Sequence, residues 1–238
     1  MRAKKSLSQN FIYDKNICNK IVKVSNLKNK FIIEIGPGYG FLTDFIIKEN
    51  PKKVILIEKD YKIYEYLLRK YNNNKNIEII NKDVLDLKFD KFNDVIVISN
   101  LPYNVSTKII LNLFKFKSNI KEMIFMIQKE VAIKFDYKIP KLNKYKFFTI
   151  LSSNYNRCFD VPPTVFKPKP KVISSIVSFT LNKQKINWEN AELFSNLIFK
   201  NKRKVISSKI NLKNIGNFGK KRIDELNIKE LLTIYNFF

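Results

Sequence analysis

The chain has 238 residues, 45% of them hydrophobic, so it can bury one sizeable core and is not an intrinsically disordered chain. Its 45 Lys and Arg residues outnumber its 21 Asp and Glu residues, for a formal net charge of +24. There is no histidine, which excludes Ser-His-Asp hydrolysis, histidine general bases and the usual zinc sites, and gives no reason to expect a metal. Two distant cysteines, Cys18 and Cys158, indicate packing roles in a reducing compartment.

The strong positive charge is compatible with two explanations. It favours binding to a polyanion such as RNA. The abundance of Lys, Asn and Ile also fits a genome rich in A and T, and the charge alone leaves both explanations open. The chain has neither an apolar signal segment nor a run of about 20 apolar residues, so we expect it in the cytoplasm, or in an organelle matrix or stroma, without membrane contact. We also expect it to act as a monomer.

Apolar strands alternate with amphipathic helices through most of the chain. Strands are predicted at residues 31–35, 53–58, 77–80, 94–98, 123–127 and 172–179. Helical spacing of apolar residues follows the first strand at 41–46 and the second at 64–71. Continuous apolar strands joined by helices predict an α/β fold, with a mostly parallel sheet covered by helices on both faces.

The pattern changes after residue 179. The remaining segment is predicted to be helical, with apolar clusters at 193–199 and 226–235 and basic clusters at 200–204 and 220–222. We therefore predict a main α/β domain over residues 1–181 and a small basic helical domain over residues 182–238.

A polar or glycine residue lies at the end of each of the first four predicted strands or within three residues after it. These residues are Gly36, Glu58, Asp83 and Asn100. In a parallel sheet, ligands bind at the carboxyl ends of the strands. Four such residues in chain order therefore predict a ligand site along one edge of the sheet.

The first strand runs into the glycine turn Glu-Ile-Gly-Pro-Gly-Tyr-Gly. Gly36 and Gly38 allow a tight turn and a close approach of the backbone to a ligand. A dinucleotide-binding turn requires G-x-G-x-x-G, and Phe41 occupies the position of its third glycine. The turn therefore favours a nucleoside that carries no pyrophosphate.

Two carboxylates complete the predicted nucleoside site. Glu58 can accept hydrogen bonds from both ribose hydroxyls, and Asp83 can accept one from an adenine amine. Taken alone, Glu58 would be a solvated strand end and Asp83 a helix N-cap. Asp86 is close enough in sequence to be confused with Asp83.

The segment Asn100-Leu101-Pro102-Tyr103 is the most specific signal, and it suits methylation of an adenine amine. The lone pair of that nitrogen is delocalised into the ring, and it becomes nucleophilic when both N–H groups donate to fixed acceptors. The Asn100 side-chain oxygen and the Leu101 carbonyl can be those acceptors, Pro102 stiffens the turn, and Tyr103 can stack on an extruded base. No strong base is needed, as the absence of histidine requires. A simple Asn-x-Pro turn is the less favoured explanation.

Together these motifs resemble a known family, the small-subunit ribosomal RNA adenine dimethyltransferases. The resemblance extends from Ser8 to about Phe179, with a weaker match to the end. It depends on the residues at 8–11, 34–38, 100–104, 128–132 and 161–166, and on Pro168 and Pro170-Lys171-Val172. It implies a class I S-adenosylmethionine-dependent methyltransferase (Rossmann-like) with a C-terminal helical domain. The implied reaction is dimethylation of two adjacent adenosines in the 3′-terminal hairpin of small-subunit rRNA, with the immature small ribosomal subunit as partner.

The resemblance also implies residue roles. S-adenosylmethionine is the implied cofactor, and its expected contacts are Asn10, Ile12, Gly36, Gly38, Glu58, Asp83 and Asn100. Asn100, Leu101 and Tyr103 would face the target adenine. Phe166 is expected either to be a second stacking face or to be a packing aromatic, with equal support for each.

Basic residues are expected to contact RNA phosphates and to position the RNA without reading its sequence. The candidates are Lys4, Lys5, Lys202, Arg203 and Lys204. A solvated helix face is the competing explanation for the last three. The chain departs from the family pattern at Ser8, at Lys146 and in a shortened segment between about residues 205 and 222.

Three other functions remain as alternatives. The macrolide-resistance class, which dimethylates large-subunit rRNA, is disfavoured by the proline between Gly36 and Gly38 and by Leu101. Non-catalytic relatives that act as ribosome-assembly or organellar transcription factors have no need of Glu58 and Asp83. A DNA adenine methylase would need a base-reading domain, for which this chain has little room.

Overall fold

The structure is a computed structural model that describes residues 10–211 and 216–238. Within these residues, seven strands form one twisted sheet, and a short pair, β1 with β8, lies apart from it. In chain order the strands are β1 (Phe11–Ile12), β2 (Phe31–Ile35), β3 (Lys53–Glu58), β4 (Ile77–Asn81), β5 (Val95–Asn100), β6 (Ile120–Gln128), β7 (Ser153–Val161), β8 (Phe166–Lys167) and β9 (Ser174–Leu181). The sheet order is β4-β3-β2-β5-β6-β9-β7.

Strands β2 to β6 run parallel, and β9 is antiparallel to both of its neighbours, β6 and β7. The predicted α/β fold with a mostly parallel sheet is therefore confirmed. The helices are α1 (Lys15–Val22), α2 (Phe41–Lys48), α3 (Tyr61–Lys70), α4 (Ser106–Phe114), α5 (Lys129–Phe135), α6 (Lys144–Ser152), α7 (Trp188–Phe199) and α8 (Ile228–Phe237).

Helices cover both faces of the sheet, which explains why its strands are almost continuously apolar. Neighbouring strand residues point to opposite faces, so Ile32 and Ile33 belong to two different cores. Helices α1, α2 and α3 pack on the Ile32 side, and α4 to α8 pack on the Ile33 side. No helix in the described part of the chain is long and apolar enough to cross a bilayer.

Strand β7 is absent from the sequence prediction, and its position explains the omission. It lies at the edge of the sheet and pairs only with β9, so its outer side chains face solvent. Its sequence mixes Asn, Arg and Asp with apolar residues, and its register shifts between Arg157 and Phe159. An edge strand with such an irregularity has neither the continuous apolar run nor the strict alternation that identifies strands in sequence.

The C-terminal segment contains α7 and α8, joined by short 3₁₀ turns at 206–208, 216–220 and 223–225. Its buried side chains belong to the same core as α6, since the ring of Phe147 lies 5.3 Å from that of Phe194 and 5.2 Å from that of Tyr235. The predicted boundary after residue 181 coincides with the end of β9, and the division into two domains stays a prediction.

Phe179 on β9 is the aromatic centre of the core on the α4 to α8 side. It is fully buried. Four rings pack around it with centroid distances from 5.1 to 6.4 Å, those of Phe114, Phe125, Phe135 and Tyr155. These rings come from α4, β6, α5 and β7, so one side chain joins the parallel part of the sheet to its antiparallel extension.

We expect Phe179→Ala to lower the free energy of unfolding by about 3–5 kcal/mol, because the four surrounding rings cannot collapse into the cavity that it leaves. Urea unfolding followed by circular dichroism measures this change. Tyr61→Ala is the control, since Tyr61 is exposed and its loss should change stability by no more than about 0.5 kcal/mol. Equal effects of the two substitutions would contradict the central role of Phe179.

Candidate functional site

A cavity of about 290 Å³ lies where the carboxyl ends of β2, β3, β4 and β5 meet. All four residues that were predicted to share a site line it: Gly36, Glu58, Asp83 and Asn100. Its other lining residues include Asn10, Phe11, Gly38, Lys59, Lys82, Leu85, Leu101, Pro102, Tyr103 and Asn104. Asp86 does not line the cavity, which distinguishes it from Asp83.

The glycine turn forms one wall of this cavity. Gly36 and Gly38 both have positive φ angles, +60° and +57°, which favour glycine. A Cβ atom on Gly36 would meet nothing within 4 Å, so that position faces open space. A Cβ on Gly38 would lie only 2.8 Å from the ring of Phe11. The lack of a side chain at Gly36 therefore keeps the cavity open, and the lack of a side chain at Gly38 makes room for the Phe11 ring.

The turn is held from behind by the end of α3. The Lys70 ammonium donates to the carbonyls of Tyr39 and Gly40, both at 3.1 Å, and to Asp44 at 2.7 Å. The Tyr71 hydroxyl donates its one proton to the Asp44 carboxylate at 2.7 Å and also lies 3.0 Å from the Gly40 carbonyl. Burial and the Asp44 carboxylate raise the pKa of Tyr71, so it remains a neutral donor. This support was not foreseen from the sequence, because α3 lies about 30 residues beyond the turn it holds.

Glu58 is the last residue of β3 and is 6% exposed. Burial raises the pKa of its carboxyl group, and hydrogen bonds from the N–H groups of Asp60 and Gly38 act in the opposite direction. The bond from Asp60 to Oε1 is 2.8 Å long. The backbone thus fixes the orientation of the carboxylate while Glu58 still lines the cavity.

Asp83 caps a turn, as one of its two explanations predicted, and it also lines the cavity. Its Oδ1 accepts from the Leu85 N–H at 3.0 Å and caps a 3₁₀ turn, and its Oδ2 pairs with the Lys59 ammonium at 2.7 Å. Burial alone would raise its pKa, but the bonds from Lys59 and Leu85 outweigh burial and hold the pKa below its ordinary value. The pairing with Lys59 was missed from the sequence.

Asn100 at the end of β5 is oriented by the backbone of the N-terminal segment. Its Nδ2 donates to the carbonyl of Asn10 at 2.8 Å. This leaves Oδ1 as the acceptor, and no group among residues 10–211 and 216–238 donates to it. The next residue, Leu101, donates its N–H to the Met126 carbonyl at 3.2 Å, and its own carbonyl accepts no bond from the same residues. Two consecutive residues that line the cavity therefore each keep one hydrogen-bond acceptor without a partner in the described part of the chain.

Tyr103 lines both this cavity and a second, larger one of about 1330 Å³. Its hydroxyl is hydrogen-bonded to that of Ser174 at 2.7 Å. Six residues line both cavities: Asn10, Phe11, Gly36, Asn100, Tyr103 and Asn104. The larger cavity continues past Gln128 to the segment 167–172. The Asn100–Asn104 turn therefore lies between two spaces that a pair of reacting molecules could occupy.

The remaining predicted residues lie away from the smaller cavity. Ile12 lines only the larger cavity and is mostly buried, and it pairs with Phe166 across the β1–β8 ladder. Phe166 is 2% exposed and lines neither cavity, because this pairing turns its ring into the core on the Ile32 side. Of the two explanations for Phe166, the structure therefore favours packing.

Three of the five basic residues predicted to bind RNA belong to the described part of the chain, and all three lie at the surface. Lys202, Arg203 and Lys204 are exposed and line neither cavity. Lys202 lies 3.8 Å from Asp224, a long contact that leaves its charge largely available. Lys4 and Lys5 lie outside the described residues.

Glu34 precedes the glycine turn and was not among the predicted site residues, although it lies at the site. It is 2% exposed beneath the turn, lines the larger cavity and accepts a hydrogen bond from the Thr43 hydroxyl at 2.6 Å. Burial raises its pKa to about 8. A charged residue within an apolar strand was the available signal, since such residues are seldom fully buried. In the described part of the chain, no three His, Cys, Asp or Glu side chains form a possible metal site.

The chain matches known proteins in both sequence and fold. A family model described as Ribosomal RNA adenine dimethylase matches residues 1–237. The chain belongs to this family. A protein of Mesomycoplasma hyopneumoniae (strain 232), named Ribosomal RNA small subunit methyltransferase A, is 38% identical over 240 residues, which cover 99% of this chain and 87% of that protein. A protein of the same name from Hydrogenobaculum sp. (strain Y04AAS1) is 32% identical, with 99% and 93% covered.

Solved structures agree on the fold. A dimethyladenosine transferase from Plasmodium falciparum superposes with a TM-score of 0.81 at 22% identity, covering 96% of this chain and all of that one. The 23S rRNA methyltransferase ErmE superposes with a TM-score of 0.72 at 20% identity, with 95% and 98% covered. The class I, Rossmann-like methyltransferase fold is therefore confirmed, and the family resemblance inferred from the motifs is confirmed by the family model. The chain is an enzyme of the rRNA adenine dimethyltransferase family.

The protonation of Glu34 makes stability depend on pH. Between its ordinary pKa of 4.5 and its folded pKa of about 8, the folded protein keeps a proton that the unfolded chain has lost. Stability should therefore fall as pH rises through this window. We expect Glu34→Gln, which mimics the neutral acid, to flatten this decline when thermal unfolding is measured across the same range. Parallel pH profiles for the two proteins would show that Glu34 does not titrate in this way.

Proposed function

We propose that this protein dimethylates the N6 amine of two adjacent adenosines in the 3′-terminal hairpin of small-subunit rRNA during ribosome biogenesis, with S-adenosylmethionine as methyl donor. One observation carries the proposal: the consecutive residues Asn100 and Leu101 line the smaller cavity, and neither Asn100 Oδ1 nor the Leu101 carbonyl accepts a hydrogen bond from residues 10–211 or 216–238. The names of the relatives, which match nearly the whole chain, support the small subunit as the source of the RNA.

The smaller cavity fits the proposed cofactor. Gly36 faces open space there, Glu58 can accept hydrogen bonds from ribose hydroxyls, and Asp83 can accept one from an adenine amine. Asn10 and Gly38 complete the wall. When bound, S-adenosylmethionine supplies an electrophilic methyl group.

The chain's own residues prepare the target amine. Asn100 Oδ1 and the Leu101 carbonyl each accept one of its N–H groups, which draws the nitrogen toward a pyramidal geometry and frees its lone pair. Tyr103 offers a flat face against which the extruded base can stack. The proton becomes acidic only after the nitrogen has bonded to the methyl carbon, so it can leave to water without a strong base. The chain's lack of histidine is consistent with this chemistry.

The charge of the protein suits an RNA partner. With a net charge of +24, the chain should attract the immature small subunit, and the exposed Lys202, Arg203 and Lys204 are proposed to contact phosphates. The proposed place of action is wherever that subunit assembles, the cytoplasm or an organelle matrix, and the proposed acting form is a monomer.

The function is tested by incubating the protein and methyl-labelled S-adenosylmethionine with unmethylated small and large ribosomal subunits, followed by mapping of the labelled bases. We expect dimethyladenosine at two adjacent positions in the small-subunit 3′ hairpin. Label in the large subunit would assign the protein to the macrolide-resistance class. No label, despite measurable cofactor binding, would favour an assembly or transcription factor that has lost the reaction.

The variant Asn100→Ala tests the role of Asn100 in the same assay. We expect no methyl transfer, because the variant lacks one of the two acceptors for the amine, and we expect its thermal unfolding to remain cooperative. Asn156→Ala is the matched control, since Asn156 is an exposed residue of β7 that lines neither cavity. A folded Asn100→Ala protein with full activity would refute the role of Asn100.

The carboxylate assignment is tested separately by calorimetric titration with S-adenosylmethionine. We expect Glu58→Gln to weaken binding by about 1–3 kcal/mol, the range for hydrogen bonds to a charged group, while it preserves an acceptor for the Asp60 N–H. Glu78→Gln on the neighbouring strand β4 should bind normally, because Glu78 does not line the cavity and pairs with Lys53. Unchanged affinity in Glu58→Gln would contradict the ribose contact.

A further inference from the structure

We infer that Ser174 is a positioning residue for the methylation site: its hydroxyl holds the Tyr103 ring at the angle that the target adenine requires. The inference rests on the proposed function. It assigns a role to a residue of β9 that is remote in sequence from the Asn100–Tyr103 motif, and the two hydroxyl-bearing residues are separated by 71 positions.

The hydrogen bond fixes the ring at its far end. The hydroxyl groups of Tyr103 and Ser174 lie 2.7 Å apart, and Ser174 is fully buried. At the near end, the Tyr103 carbonyl accepts a bond from the Ser106 hydroxyl at 3.2 Å, at the start of α4. A phenol ring held at both its backbone and its hydroxyl end cannot swing as a whole.

Ser174 is itself held rigidly. It is the first residue of β9, opposite Gln128 at the end of β6 and Val161 at the end of β7. The ends of three strands therefore meet at this residue. The antiparallel extension of the sheet provides the anchor, and the parallel part carries the acceptors of the amine.

The neighbouring serine shows that the contact is specific to one face of the strand. Ser175 is equally buried, but its hydroxyl donates to Asp160 at 2.6 Å instead. Successive residues of a strand point to opposite faces, so only Ser174 can reach Tyr103. In the described part of the chain, Tyr103 is the one side-chain partner of the Ser174 hydroxyl.

A ring fixed in advance lowers the barrier to the chemical step, because the base then stacks in one orientation relative to the two acceptors. Without the anchor, Tyr103 would reach other rotamers, and fewer encounters would place the amine correctly. The effect should appear in kcat. The affinity for S-adenosylmethionine should change less than kcat, because Ser174 does not line the smaller cavity and Tyr103 is only one of the residues that do.

The experiment compares Ser174→Ala with the matched control Ser175→Ala, using unmethylated small subunits and S-adenosylmethionine. Each variant loses one buried hydroxyl from adjacent positions on one strand. We expect kcat of Ser174→Ala to fall about threefold to tenfold, the effect of one hydrogen bond, with a smaller change in calorimetric cofactor affinity. Ser175→Ala should keep kcat within about twofold. Wild-type kcat in folded Ser174→Ala, or an equal loss in both variants, would overturn the inference.

A double-mutant cycle identifies Tyr103 as the residue through which Ser174 acts. Tyr103→Phe lacks the phenol hydroxyl, so adding Ser174→Ala to it should change kcat by less than about twofold. The same loss in both backgrounds would mean that Ser174 acts through the sheet, and it would overturn the proposed role.

Two further variants keep the inference testable if Ser174→Ala does not fold. Ser174→Thr retains the hydroxyl and should retain kcat, and Tyr103→Phe alone should reproduce the loss. Failure of both expectations would overturn the inference. A wild-type protein that labels neither subunit would contradict the proposed function itself. An active wild-type protein with an equally active Ser174→Ala variant would contradict only the role of Ser174.

Discussion

A parallel sheet buried on both faces has room for polar side chains almost only where its strands end, and the site of this protein depends on that constraint. Strands β2, β3 and β5 are apolar along nearly their whole length because helices cover them on both sides. Their chemistry is therefore concentrated at the carboxyl edge, where Glu58 and Asn100 end β3 and β5. Since parallel strands end at the same edge, residues distant in sequence line one cavity.

The proposed catalytic capacity of this site comes from two hydrogen-bond acceptors that have no partner among residues 10–211 and 216–238. The Asn100 amide donates to the Asn10 carbonyl, which leaves its oxygen as an acceptor. Leu101 donates its N–H to Met126 on β6, and its carbonyl, which has no partner in the described part of the chain, is the proposed second acceptor. Each acceptor is oriented before any substrate arrives, which reduces the reorganisation needed during the reaction.

The pKa values of the Glu34 and Asp83 carboxyl groups are shifted in opposite directions. Asp83 is paired with Lys59, and its pKa is lowered. Glu34 is buried beneath the glycine turn with a hydroxyl partner, and its pKa is raised to about 8. The difference follows from desolvation, which dominates where no cation is close enough to compensate. One edge of the sheet therefore presents an ionised group beside the cavity and a largely neutral one under its wall.

The fold class, the order of the parallel strands along the chain, the family and the four strand-end residues of the smaller cavity could all be predicted from the sequence. These features depend on local periodicity and on short motifs at strand ends, which are readable over a few neighbouring residues. The edge strand β7 lacked such a pattern because polar residues interrupt its apolar ones and its register shifts between Arg157 and Phe159.

Only the tertiary structure decided which groups hold the site in place. Asn10 and Asn100 are 90 residues apart, and Tyr103 and Ser174 are 71 apart, so no local pattern could pair them. It also decided that Phe166 packs in the core, because its pairing with Ile12 turns the ring inward. Hydrogen bonds between distant segments depend on distances that only the packed sheet and its helices establish.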